Sequence, residues 1–73
     1  MGKIQTNTFE IKGEFIELIK LLKATGISEN GAQAQALVLE NQVKVNGQTE
    51  TRKRAKIKRG DRVETPYGNV EVA

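Results

Sequence analysis

The chain has no cysteine and no histidine among its 73 residues. Disulfides, thiolate nucleophiles, zinc sites of the usual ligand types and the commonest general base are excluded together. Most enzyme chemistry is thereby disfavoured. Long apolar runs are missing too: the longest uncharged stretch, Asn30 to Leu39, is mostly Ala, Gln, Asn and Gly. Neither a signal peptide nor a membrane span is expected, and cytoplasmic residence is the default for such a chain. Aromatic residues number three, Phe9, Phe15 and Tyr67. Platforms for stacking splayed single-stranded bases are therefore scarce.

What is present suits one small domain, residues 1–73. Hydrophobic residues make up 37% and charged residues 29%, with one Pro and seven Gly, which is the balance of a folded, polar domain and not of a disordered tail. A chain of this length buries only about 60% of its unfolded surface, so a large internal catalytic cleft is not expected.

The net charge of +3 is unevenly placed. Residues 1–43 set four lysines, Lys3 among them, against five glutamates. Residues 44–62 set Lys44, Arg52, Lys53, Arg54, Lys56, Lys58, Arg59 and Arg62 against only Glu50 and Asp61, an excess of six. One contiguous segment carries the positive field, and such a field attracts polyanions through phosphate neutralisation and counterion release. A solvated surface with no partner has the same composition, so the surrounding elements must decide.

From Glu14 to Thr25, Phe15, Leu18, Ile19 and Leu22 fall at i, i+3, i+4 and i+7, one face of an amphipathic helix. This reading puts Phe15 in the core, Glu14 and Glu17 at the positive end of the helix dipole, and Lys20 and Lys23 at the negative end. Gly26 is placed to stop the helix in a left-handed conformation. A second helix is expected after Asn30 as N-cap, with Gln33 as the returning half of a capping box; Ala34, Leu37 and Val38 supply its buried stripe and Asn41 its stop.

After Asn41 the period changes to two. Val43-Lys44-Val45, then Asn46-Gly47, then Thr49-Glu50-Thr51 describe a β-hairpin, because a type I′ turn needs positive φ at both central residues. Ile57 between two lysines, the Gly60-Asp61 turn, Val63, and Val70 and Val72 beyond the turn at Pro66 to Asn69 suggest further short strands. Phe9 and Ile11 alternate in a manner suited to an edge strand.

The run from Ile16 to Lys58 contains, in order, Gly26-Ile27, a capped second helix, Val43-Lys44-Val45-Asn46-Gly47 and Glu50-Thr51-Arg52-Lys53-Arg54. It resembles the S4 RNA-binding domain and, more narrowly, the small stand-alone S4-like proteins of the YbcJ/YaaA type. About 45 of the 73 residues are covered, and the two segments after the helices are more specific than the helices themselves. The resemblance implies an α+β, S4-like (alpha-L) fold, two short helices packed on a small, mainly antiparallel sheet with a basic hairpin, with a core motif over about residues 14–64. It also implies non-enzymatic binding of structured RNA, ribosomal or transfer RNA, through the helix faces and the hairpin, with ribosomal particles as possible partners.

Residue by residue, Lys23, Lys44, Arg52, Lys53 and Lys56 stand where the subgroup usually has a basic residue. Many larger S4 domains open the second helix with Ser-Arg-Arg, whereas Asn30-Gly31-Ala32 stands here. A bare helix N-terminus at Asn30 and Gly31 could offer backbone N–H groups to a phosphate. Gln35 occupies a position where the subgroup often has Lys, which puts that part of the helix face in question.

Each basic candidate also has a structural alternative. Arg52 and Arg54 would share one face of an extended segment with Lys53 on the other, forming a phosphate clamp with forked donors, or pairing across the sheet with Glu50, Asp61 or Glu64. Lys20 either extends the basic surface or pairs with Glu17. Lys58, Arg59 and Arg62 either widen the field or keep an edge strand soluble. Tyr67, beside Pro66, is read as a turn residue. The expected target is folded RNA read by shape and phosphate position, engaged by a monomer without metal or cofactor. The competing class is an adaptor that meets a protein through the basic hairpin or an edge strand. DNA reading lacks a helix rich in base-reading side chains. Catalysis lacks a phosphate loop or nucleophile motif, and Asp61 with Glu64 makes no convincing acid–base pair.

Overall fold

The computed structural model describes residues 6–73; Lys3, counted in the charge balance, lies outside them. The elements run β1 (Thr6–Phe9), β2 (Ile16–Glu17), α1 (Leu18–Ala24), α2 (Gly31–Leu39), β3 (Lys44–Val45), β4 (Gln48–Thr49), β5 (Lys56–Ile57), β6 (Arg62–Thr65) and β7 (Gly68–Val72). Five strands form a sheet in the order β1-β7-β6-β3-β4, in which β1 runs parallel to β7 and the other neighbours are antiparallel. Strands β2 and β5 pair separately, Ile16 with Ile57 and Glu17 with Lys56.

Period sets the core. In α1, Leu18, Leu21 and Leu22 are fully buried, at i, i+3 and i+4; in α2, Ala34, Leu37 and Val38 repeat that spacing. In β6 and β7, Val63 and Thr65, then Val70 and Val72, point inward while Arg62 and Glu71 stay exposed, the two-residue alternation of a sheet with one wet face. Helix and strand residues join in one cluster with Val43, Ala55 and Ile57. Each fully buried leucine there contributes about 1.5–3 kcal/mol of hydrophobic transfer.

The helix α1 begins at Leu18 and not at Glu14. Phe15 precedes it and is 40% exposed, so its assignment to the core is corrected. The reason is a competing partner: the Leu18 N–H donates to the Ala55 carbonyl (2.9 Å) and the Ile19 N–H to that of Lys53 (3.2 Å), while Ile16 and Glu17 pair with β5. The first helical amides are thus satisfied by the segment after the hairpin, and the residues before them are drawn into a strand. Glu17 becomes the extended N-cap residue, without a side-chain cap bond, and the first turn holds no acid. Leu21 takes the core place assigned to Phe15, and Ile19 is partly buried.

Both helix stops match their residues: Gly26 has φ +80° and Asn41 has φ +59°. Asn30 caps α2, its Oδ1 accepting from the Gln33 N–H at 2.8 Å. Gln33 reaches one residue further back than a capping box requires, its Oε1 accepting from the Glu29 N–H at 2.6 Å. Asn46 (φ +52°) and Gly47 (φ +85°) form the expected hairpin turn between β3 and β4. The hairpin is shorter than expected, however, because β4 ends at Thr49. Arg52, Lys53 and Arg54 do not lie on a strand: Lys53 and Arg54 occupy a turn closed by the Ala55 N–H on the Arg52 carbonyl at 3.1 Å.

Candidate nucleic-acid interface

The basic turn is shaped by Glu50. After the Glu50 N–H donates to the Val43 carbonyl, its carboxylate Oε2 accepts from the Arg52 backbone N–H (2.9 Å) and from Arg52 Nε (3.2 Å). The side chain of Glu50 is 16% exposed and that of Arg52 is 78% exposed. The carboxylate is therefore tucked beneath the guanidinium, whose two terminal nitrogens remain available for an anion. The hydrogen bond from Arg52 holds the Glu50 carboxyl below the ordinary carboxylate range, against the opposing effect of burial, and the same contact raises Arg52. Of the pairings considered from sequence, this one forms, but within the turn and not across the sheet.

Lys53 and Arg54 are exposed and have no carboxylate within 4.0 Å among the described residues. The turn brings together what a flat strand would have divided: Arg52, Lys53 and Arg54 all wall one recess, completed by Thr51 and by Gln35 and Leu39 of α2. On its other side Arg52 and Arg54 join Ala55, Lys56 and Lys58 around an open groove of about 450 Å³. The ammonium of Lys56 lies 5.0 Å from the centre of the Phe15 ring, a cation–π distance that ties the groove's Lys56 to the segment before α1.

At the start of α2, Gly31 lies close to Lys23, whose Cδ would be 4.0 Å from a Cβ added at Gly31. Lys23, Asn30 and Gly31 thus form a second group, with Asn30 already engaged in capping. Lys20 is exposed on α1 and makes no ion pair with Glu17. Lys44 is set apart. It lies on β3 between Glu64 of β6 and Thr49 of β4 and lines a depression with Gln42, Glu64, Thr65, Pro66 and Asn69, which shares no residue with the recesses of the basic turn.

The remaining cations of the segment have structural partners. Arg62 pairs with Glu71 (3.1 Å) and Glu64 (3.9 Å), and Arg59 donates to the Ile11 carbonyl (3.1 Å). Asp61 organises its own turn, accepting from the Lys58 N–H (2.8 Å) and from Asn46 Nδ2 (3.0 Å). Tyr67 is exposed in the β6–β7 turn, which Thr65 Oγ1 holds by accepting from the N–H groups of Tyr67 and Gly68. Among the described residues no helix is long and apolar enough to cross a membrane. Sequence reasoning named Glu50 as a partner across the sheet but missed that it holds Arg52 locally and shapes the turn, and it missed Leu39 as part of the recess. The signal for Glu50 was its i, i+2 spacing from Arg52; Leu39 gave none, because its neighbours there are distant in sequence.

Comparison with known proteins identifies the family and the fold. Residues 9–73 match the family model described as the S4 domain. YbcJ of Escherichia coli (strain K12) is 48% identical over 66 residues, covering 89% of this chain and 94% of that one, and YbcJ of Shigella flexneri gives the same figures. The solution structure of E. coli YbcJ, in which an alfaL motif involved in RNA-binding is described, superimposes with a TM-score of 0.69 at 44% identity. It covers all of this chain and 91% of that one. The two helices and the mixed sheet found here have the α+β, alpha-L architecture of that relative, and the chain belongs to the S4 domain family.

Proposed function

We propose that this chain is a non-catalytic module that binds structured RNA, ribosomal or transfer RNA, with ribosomal particles among its partners. The observation that carries this reading is the basic turn: Arg52, Lys53 and Arg54 project from one short loop, continuous with Lys56 and Lys58, and only Arg52 is engaged by a carboxylate. Such a surface meets phosphates through charge-assisted hydrogen bonds. The motif described as involved in RNA-binding in E. coli YbcJ supports RNA as the polyanion. Lys23 and the amide end of α2 at Asn30 and Gly31 form a further docking point, with Lys20 beside it and Lys44 as an outlying contact.

The reading is tested by titrating the protein with a ribosomal RNA fragment, transfer RNA and duplex DNA of equal length at one salt concentration. Preference for folded RNA over the duplex DNA is expected. Equal, weak binding to all three overturns it and leaves a protein partner for the basic turn as the better account.

A further inference from the structure

The basic turn has two unlike sides. Arg52 and Arg54 wall both recesses described above, but what faces them differs. On one side stand Lys56 and Lys58, further cations; on the other stand Leu39, Gln35 and Thr51, with Lys53 as the one additional charge. Leu39 is 73% exposed, at the last position of α2, and Gln35 is half-buried one helical turn earlier on the same face. An exposed leucine alone has no special meaning. Here it shares with three basic residues the lining of a recess of about 410 Å³ whose surface is mostly apolar. A mostly apolar surface with one amide and three cations matches a ligand that is itself flat, apolar on its faces, polar at its edge and attached to an anion.

We propose that this recess takes a single unpaired nucleotide of the RNA. Its base lies on Leu39 with its edge against the Gln35 amide, and its flanking phosphates lie on Arg52, Arg54, Lys56 and Lys58. The inference rests on the RNA-binding reading and narrows it: the preferred target is a helix interrupted by a bulge or an unpaired loop nucleotide, the places where RNA bases are free to be splayed out. The scarcity of exposed aromatic side chains is no obstacle, because an aliphatic surface shelters a base face from water as well, though with less affinity than a stacked ring.

The test uses two RNA hairpins, identical except that one carries a single bulged 2-aminopurine, with the whole chain and its Leu39→Ala and Leu39→Met variants. The parent is expected to bind the bulged hairpin more tightly and to change its 2-aminopurine fluorescence. Leu39→Ala is expected to weaken binding to the bulged hairpin about five- to tenfold, the scale of losing a partly buried leucine side chain, while changing binding to the continuous hairpin less than about twofold. Its salt slope should not change, since no phosphate contact is lost. Leu39→Met, which keeps the apolar surface, should retain the discrimination.

Parent binding that does not distinguish the hairpins, or a Leu39→Ala effect equal on both, overturns the nucleotide recess and leaves RNA binding standing. Binding to neither hairpin overturns RNA binding and the recess together. RNA binding indifferent to the bulge, with Leu39-dependent capture of an acidic leucine-containing peptide, assigns the recess to a protein and also overturns it.

Discussion

Replacing Glu50 with Gln separates two physical accounts of the basic turn by the sign of the effect. The substitution removes a negative charge from the middle of the proposed RNA surface, and charge counting alone says that RNA should then bind more tightly. A phosphate on the far side of the Arg52 guanidinium would lie roughly 7 Å from the carboxylate. In water at physiological salt, removing the Coulomb repulsion screened over that distance corresponds to a gain of about 1.5-fold in affinity. The structure points the other way. Glu50 Oε2 holds Arg52 by two hydrogen bonds, at 2.9 Å and 3.2 Å, one of them to the guanidinium itself. An amide oxygen can still accept from the backbone N–H, but it grips the guanidinium less firmly, and Arg52 must then be ordered when RNA arrives. Ordering one long side chain weakens binding by about two- to tenfold, which exceeds the electrostatic gain. Weaker binding by Glu50→Gln is therefore expected, by filter binding or anisotropy, with a salt slope close to that of the parent. Tighter binding by the variant would refute the positioning role. The same contact sets a pH dependence. Glu50 is depressed in the folded state, so its contribution is complete above the ordinary carboxylate range and disappears as pH falls through its lowered folded value. The Gln variant should lose less stability than the parent over that acid limb.

Three further outcomes follow from the geometry. Asn46→Ala should destabilise by about 1–3 kcal/mol in urea denaturation: Ala tolerates φ +52° poorly, and the Asn46 side chain bridges Asp61 and the Arg62 N–H. Gly31→Glu should leave thermal stability unchanged or slightly raised, because a Cβ has room there and an acid suits a helix start, while RNA affinity falls; unaltered affinity would remove the α2 amide end from the interface. Ser28→Ala should be neutral or stabilising by up to about 1 kcal/mol, because the Ser28 hydroxyl is buried and has no hydrogen-bond partner; a loss of stability would show that the hydroxyl is satisfied after all.

The features readable in the sequence were those fixed by neighbours in the chain. Asn46-Gly47, Gly26, Asn30 and Asn41 do what their local chemistry requires, and the positive segment could be counted directly. The start of α1 was not readable, because the apolar spacing runs smoothly back through Phe15. What stops the helix at Leu18 is the pairing of residues 16–17 with residues 56–57 and two carbonyls of the basic turn, all some forty residues away. The shape of Arg52 to Arg54 was hidden for a related reason. Alternation suggested a strand, whereas the Glu50 carboxylate bends the chain by binding the Arg52 N–H. A strand would have divided the three cations between two faces; the turn gathers them against Leu39 and Gln35, a juxtaposition that only the packed helices create.

The most direct test of the central claim is the salt dependence of binding to a folded ribosomal RNA fragment, compared between the parent and an Arg52→Ala/Lys53→Ala/Arg54→Ala variant of unchanged circular dichroism. If the basic turn grips phosphates, the variant should bind more weakly, and the slope of log K against log salt should fall by about 2–3, close to one per lost contact. An unchanged slope and affinity in the folded variant would contradict the account, because the RNA would then be held elsewhere on the molecule or not at all.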